Sequence, residues 1–435
     1  MRCHFPSIMR PSRRWFLRTA VMGLLVCLGM TWAHAQSDQV LYSLRKTTLF
    51  DGKFGKLAEA QAAIGAALVR CGKPSITVDG KFGNGTVQAV KALVACSEIQ
   101  PHIPPNSAAR QGAITLSLWK ALLPNSPLPS VEERSQTLVL TYEATDYDRL
   151  EWNFCQNKPL WSPQNPSMPC FTNDPKSYIT WGPRGATAGH GREVQWIVWR
   201  VDQRDASVVN TAFGPDASTV RQLISLNDSS ARILLCSIYA DEQRRNSWTR
   251  AFEKFGKSAL VRSMYDLHYL SRASDGAKMA TFYKLYDKLG IRPTEVDYAF
   301  FLDRATHSSA PSDLDSAARK IEAWLEEKHV SRTPSNVRRA IAAKFPTASQ
   351  TKDRLGRDVA FFIDAVSEPK LTPEERQAWI NRGQLSTANV GLSDETEAPA
   401  LNPGQPTTGP SFSGSLEPTP NCPASVLNPR TPPSH

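Results

Sequence analysis

The sequence predicts a mainly α-helical chain of two folded domains behind an export leader, and three observations predict it. Apolar residues recur at helical spacing through most of the stretch from residue 56 to residue 366. One short glycine-rich interval, Ser177 to Trp199, breaks that rhythm with strand-like alternation. Composition also shifts at both ends, to an arginine-rich apolar start and a proline-rich finish.

Residues 1–35 read as a secretion signal. Arg2, Arg10, Arg13, Arg14 and Arg18 precede an apolar run from Ala20 to Trp32, and Ala33-His34-Ala35 offers small residues at a cleavage point. The run is too short for a membrane span, so no stable span is expected in the mature chain. Ser12-Arg13-Arg14-Trp15-Phe16-Leu17-Arg18 resembles the twin-arginine export pattern, which implies delivery to the periplasm or beyond of a chain already folded.

The leader also changes the charge. The whole sequence has 51 Lys and Arg against 41 Asp and Glu, a formal charge of +10. Five of those arginines and no acid leave with the leader, so the mature chain is only mildly basic. That suits approach to an anionic wall polymer. No basic stripe interleaved with aromatics is present, which excludes a nucleic-acid binder. Cys71, Cys96, Cys155, Cys170, Cys236 and Cys422 remain after the leader, and in an oxidising compartment they read as bridge-formers. The expectation is Cys71–Cys96 between the ends of two helices, Cys155–Cys170 around a proline-rich loop, and Cys236 as a buried free thiol. No Cys/His cluster has zinc spacing, and neither a metal nor a cofactor is expected.

Residues 36–130 form the first expected domain. Lys56 to Val69 reads as a helix with Leu57, Ile64 and Leu68 inward. The Asp79-Gly80 turn, Gly83 and Gly85 follow, and Thr86 opens a second helix with Val87, Val90, Leu93 and Val94 on its apolar side. Ile114 to Leu123 closes the module, and 125–129 reads as a linker. Phe50-Asp51-Gly52-Lys53-Phe54-Gly55 echoes Val78-Asp79-Gly80-Lys81-Phe82-Gly83, but nothing downstream repeats, so this is not a duplication. The string Asp79, Gly80, Phe82, Gly83, Thr86, Ala89, Val90 resembles the D-G-x-F-G-x-x-T-x-x-A-V signature of the small three-helix peptidoglycan-binding domain. The resemblance implies that Asp79, Gly80, Phe82, Gly83 and Thr86 belong to a wall-binding module.

Residues 131–388 form the second, larger domain, long enough to bury a sizeable core. Helical stretches include Thr137 to Tyr142, Arg250 to Leu270, Lys278 to Leu289, Pro293 to Arg304, Asp313 to Lys328 and Asp353 to Val366. Within Ser177 to Trp199, the sequence fits a short β-hairpin or a strand leading into a helix. After residue 388, ten of the 32 prolines fall between Pro399 and Pro433, so 389–435 reads as a disordered tail.

Chemistry centres on Glu143, at the end of the apolar run Thr137-Leu138-Val139-Leu140-Thr141-Tyr142. A carboxyl in greasy surroundings is raised toward neutrality, as a proton donor to a glycosidic oxygen requires. The stretch Glu143 to Trp152, followed by Trp181-Gly182-Pro183-Arg184-Gly185-Ala186-Thr187-Ala188-Gly189, resembles the core of the family 46 chitosanases of the lysozyme-like superfamily. The resemblance implies a lysozyme-like α+β catalytic domain with a β-hairpin. In it Glu143 is the general acid, Arg184 braces the hairpin or holds a carboxylate, and Thr187 orients the attacking water. The family's second carboxylate falls on Gly182, so Asp146, Asp148, Glu151 and Glu193 are the substitutes, with Glu193 on the hairpin's far limb the best placed. Lytic transglycosylases need no such base.

Tyr142, Asp146, Trp181 and His190 are the candidate substrate contacts, the aromatic ones by stacking on sugar rings. The expected activity is cleavage of β-1,4 bonds in peptidoglycan, as a muramidase or a lytic transglycosylase. A chitosanase acting on a related glucosamine polymer and a non-catalytic wall-binding protein are the alternatives.

Overall fold

A computed structural model describes residues 38–45, 49–143, 146–154, 177–189, 191–270, 275–307, 310–345, 357, 360–362, 372–374, 385–401 and 409–417. The leader, Cys155, Cys170, Cys422 and most of Asp353 to Val366 lie outside these residues, so the expectations made for them do too. Among the described residues the chain is mainly helical with small antiparallel sheets.

Two two-stranded ribbons and three helices build the N-terminal part. Strand β1 (Val40–Tyr42) pairs with β4 (Ile114–Thr115), and β2 (Leu49–Asp51) pairs with β3 (Lys81–Gly83). Helices α1 (Leu57–Arg70), α2 (Asn84–Val94) and α3 (Leu116–Leu122) pack against them. The two echoing strings therefore have a physical role: they pair with each other, Phe50 opposite Phe82 with the rings stacked at 5.4 Å.

Helix α4 (Val131–Glu143) follows, then a three-stranded sheet in the order β5 (Leu150–Trp152), β6 (Ser177–Trp181), β7 (Ala186–Gly189). Ser177 to Trp199 is thus both things the sequence allowed, a hairpin and then a helix, α5 (Glu193–Arg204). Next come α6 (Ala206–Phe213), α7 (Ala217–Ser225), α8 (Asp228–Ala240), α9 (Glu242–Gly256) and α10 (Ala259–Leu270). The single helix expected over Arg250 to Leu270 is two helices that break at Lys257 and Ser258, just after Gly256, where the Tyr147 carbonyl leaves no room for a side chain. Helices α11 (Asp275–Lys288), α12 (Glu295–His307), α13 (Leu314–Glu327) and α14 (Pro334–Lys344) complete the helical order.

Buried apolar residues form two clusters that do not divide at residue 130. One joins the N-terminal module (Leu57, Phe82, Leu93, Trp119) to Leu138 and Val139 of α4, to α11–α14 and to Val390 and Leu392. The other holds the sheet and α5–α10, around Trp181, Trp248, Phe252 and Tyr265.

Two expectations need correction here. Residues 389–401, expected to open a disordered tail, are built into the core. Asn389 donates to the carbonyls of Ser43 and Arg45, and Arg134 donates to those of Val390 and Gly391. Arg338, buried with Asp297, also pairs with Asp394. Residues 409–417 form a strap: Gly414 bridges Leu226 in parallel, Leu416 N donates to Ser230 Oγ, and Phe412 lies 4.5 Å under the Arg192 guanidinium. The prolines lower the average apolar content of 389–435 and mask these short adhesive stretches. The cysteines also differ from expectation. Cys71 and Cys96 are free thiols, with the Cys71 thiol pushed up chiefly by its contact with Cys96, whereas Cys236 is buried and disulfide-bonded.

Candidate active site

The β6–β7 hairpin turns through Gly182, Pro183, Arg184 and Gly185, with Gly182 at φ +77° and Gly185 at φ +64°. Its alternating residues Ile179, Trp181, Ala186 and Ala188 are buried. Trp181 is therefore not a sugar-stacking residue: it is fully enclosed, edge-on to Phe252 and Tyr265, and its Nε1 donates to the Tyr147 carbonyl at 2.6 Å. A ring that fits the apolar phase of a strand belongs to the core.

Gly182 cannot hold the carboxylate that the family pattern places there. A Cβ at this position falls 2.6 Å from Tyr265 Cε2 and 2.9 Å from its hydroxyl. Tyr265 is fixed in turn, since its hydroxyl accepts from Arg184 N at 2.9 Å and donates to the Trp181 carbonyl at 3.1 Å.

Arg184 is buried, with its guanidinium 5.4 Å over the Tyr269 ring of α10. Its charge also favours the ionised forms of two carboxylates that sequence reasoning did not single out. Burial pushes the Asp266 carboxyl up to about 6, against the pull of Arg184, the Tyr147 hydroxyl and Arg262. Burial likewise raises Glu132, and the Asp266 charge adds to the effect. Both Asp266 oxygens lie within 2.8 Å of the Tyr147 hydroxyl. The signal available in the sequence was a single acid inside the apolar run of α10, flanked by the buried Met264, Tyr265, His268 and Tyr269.

The other phase of the sheet holds the buried Tyr178 and, beside it, a polar row. Glu151, Thr180 and Thr187 stand opposite one another across the three strands, in one row. Asn153 Nδ2 donates to Thr180 Oγ1 at 2.8 Å, and Arg149 pairs with Glu151. Glu193 is the first residue of α5 rather than part of the hairpin limb, yet it reaches the row: Thr187 donates from Oγ1 at 2.7 Å and from its backbone N at 3.1 Å to Glu193 Oε2. Adjacent strands stand roughly 5 Å apart, so the Glu151 and Thr187 backbones are about 10 Å apart. The row thus carries a carboxylate at each end with hydroxyls between them.

Glu143 is the last residue of α4, as the apolar run predicts. The side chains of Tyr142 and Glu143, and all of His190, lie outside the described residues. Asp146 is half-buried, and its Oδ1 accepts from Tyr147 N at 2.7 Å, which fixes the turn between α4 and β5.

The residues assigned to wall binding also organise the module. Gln61, buried in α1, donates to Asp79 Oδ1, the Lys81 carbonyl and Thr86 Oγ1, and accepts from the backbone N of Asp79 and Gly80. Gly80 takes φ +70°, Phe82 is fully buried, and Gly83 leads extended into α2. Asp79, Gly80 and Thr86 are thus tied to one side chain. The signature meets the requirements of this turn, whatever else it does.

Among the described residues no group of three or more His, Cys, Asp or Glu is placed to hold a metal ion, and no helix is long and apolar enough to cross a membrane. No protein-family model, no curated protein and no solved structure matches the chain.

Proposed function

We propose that this chain is an exported glycosidase that cleaves β-1,4 bonds of peptidoglycan, with Glu143 as proton donor. The observation that carries the reading is the Thr187–Glu193 pair on the polar face of the hairpin sheet. A carboxylate that accepts from a threonine hydroxyl is oriented, and the same hydroxyl can position a water beside it. Glu193 is then the base that draws a proton from that water while Glu143 protonates the leaving oxygen. An inverting hydrolase requires such a pair roughly 6.5–9.5 Å apart. The role that the resemblance gives to an acid at Gly182 passes in this reading to Glu193, which enters from the following helix.

A second reading has one observation in its favour. Tyr265 fills the space beside Gly182, as in a fold that has lost its second carboxylate and retained its shape for adhesion.

Zymograms against peptidoglycan and chitosan, with Glu143→Gln and Glu193→Gln beside the wild type, test the proposal. Clearing of peptidoglycan that Glu143→Gln abolishes is the expected result, with a loss of about 10²–10⁴-fold for Glu193→Gln. Full activity of Glu193→Gln together with anhydro-ended products identifies a transglycosylase. Clearing of chitosan alone identifies the chitosanase. Clearing by neither gel, with capture of the protein on intact sacculi, identifies the binder.

A further inference from the structure

The face of α5 that begins with Glu193 continues through Trp196 and Arg200, three and seven residues on, which are neighbours along one side of a helix. Arg200 lies with its guanidinium 4.6 Å over the Trp196 ring and 5.4 Å over the Trp199 ring. Two indoles thus hold the cation in one place. Trp196 is held in turn by the His268 ring at 4.6 Å.

Arg200, like the half-buried Arg232, lacks among the described residues the carboxylate that other arginines of this part of the chain have. Arg192 pairs with Asp228, Arg221 with Asp202 and Arg244 with Asp216. Among the described residues Arg200 has no carboxylate, and its Nε is shielded from solvent without a hydrogen-bond partner. Burial pulls its basicity down and the Arg204 charge adds to that, whereas Asp202 raises Arg221. A half-buried, pre-oriented guanidinium without an anion is an arrangement that a ligand's carboxylate completes. Its planar donors match a carboxylate two bonds at a time. The Trp196 ring is already covered by the guanidinium, by His268 and by Gly409 of the strap, so it orients the cation rather than offering a face to a ligand.

We infer that Arg200, held in place on Trp196 and Trp199, forms a subsite for the acid groups of a carboxylate-bearing aminosugar strand. The inference rests on the glycosidase reading for the position of the scissile bond. It deepens that reading by charge, because a cationic glucosamine polymer is repelled at Arg200 and an anionic glycan is drawn to it.

The test is binding, which does not require turnover. Mature protein is titrated with solubilised peptidoglycan strands, with the same strands after amidation of their carboxyls, and with neutral N-acetylglucosamine oligomers, following indole fluorescence. The expected result is about tenfold tighter binding of the carboxylate form than of the amidated form. Arg200→Gln removes that difference, Arg200→Lys restores part of it, and Trp196→Ala, which releases the guanidinium, reduces the difference and leaves the neutral oligomers unaffected. Equal affinity for charged and amidated strands, or a preference that survives Arg200→Gln, overturns the inference. Thermal midpoints of the variants show whether the fold is intact. Failure of the glycosidase reading registers separately, as absence of cleavage in the zymograms, and leaves these binding ratios measurable.

Discussion

Replacing Gly182 with alanine puts a methyl group where the structure has none to spare. At φ +77° an L side chain costs about 1 kcal/mol from backbone strain alone. The new Cβ lies 2.6 Å from Tyr265 Cε2 and 2.9 Å from Cζ, closer than non-bonded carbons approach, so the ring must move. It has nowhere to go: Tyr265 is fully buried and stands edge-on to Trp181 and to Tyr147, each at 5.2 Å. Overpacking of this kind costs about 1–3 kcal/mol, and a displaced hydroxyl that holds Arg184 N and the Trp181 carbonyl adds roughly 1 kcal/mol. The total is about 3–5 kcal/mol. Gly185→Ala is the internal control, since it has a similar φ of +64° in the same turn but meets only Thr180 Cγ2, at 3.4 Å. Its cost is the strain, about 1 kcal/mol. Urea unfolding of the two variants, followed by tryptophan fluorescence, reads the difference, in which denatured-state effects largely cancel. Equal midpoints would refute the packing argument. Gly182→Asp, which writes the family's acid back into the sequence, is expected to destabilise further and to give no gain in glycan cleavage.

Three further outcomes are expected. Gln61→Leu strips five hydrogen bonds from the Asp79–Thr86 turn and costs about 2–4 kcal/mol in the same unfolding assay, while Lys81→Ala, on the exposed side of that turn, is near neutral. Asp266 is raised from 3.8 to about 6 in the folded protein, so the stabilisation by its neutral form is complete below pH 4 and is lost as the pH climbs through 6. Asp266→Asn stays neutral, so it gains stability relative to the wild type between pH 4 and pH 7, and parallel stability curves would refute the assignment. Arg338→Met strands Asp297, which has no exposure of its own, and lowers stability by about 3–5 kcal/mol. Asp297→Asn in the Arg338→Met background is expected to recover part of that loss, and no recovery would show that the pair is not the cause.

Local periodicity made the helices legible and long-range pairing made the rest illegible. The spacing of Leu57, Ile64 and Leu68 placed α1 to within a residue, and the apolar run ending at Glu143 placed the end of α4. The glycine-rich interval marked the hairpin. What the sequence could not supply was which phase of each strand faces inward. Trp181 reads equally well as a stacking platform or a core ring until its register with Leu150 and Ala186 is known. The Thr187–Glu193 pair spans only six residues and was half visible for that reason, though Glu193 arrives from a helix. Asp266 lies 119 residues from Tyr147, and nothing in the local pattern of α10 announces that partner.

The same contrast bears on how binding and cleavage would relate under the proposed function. A module joined by a flexible linker would raise the local concentration of glycan, with an effect set by linker length. Here the module shares one apolar cluster with α4, α11–α14 and residues 390–398, and Tyr42, within the module, bonds to Gly55, which packs against Thr137 of α4. Segment 389–394 closes this arrangement from the far end of the chain, through Asn389 on Ser43 and Arg45 just after β1, Arg134 on α4 and Arg338 on α14. The helix that ends in Glu143 thus packs against the module at Glu133 and Thr137 as well as against α12. A glycan strand held by the module would then reach the polar face of the hairpin sheet in a fixed direction rather than by diffusion on a tether, and lengthening the 125–129 connection should leave cleavage unchanged. A tethered arrangement predicts the opposite, a fall in cleavage with each added residue.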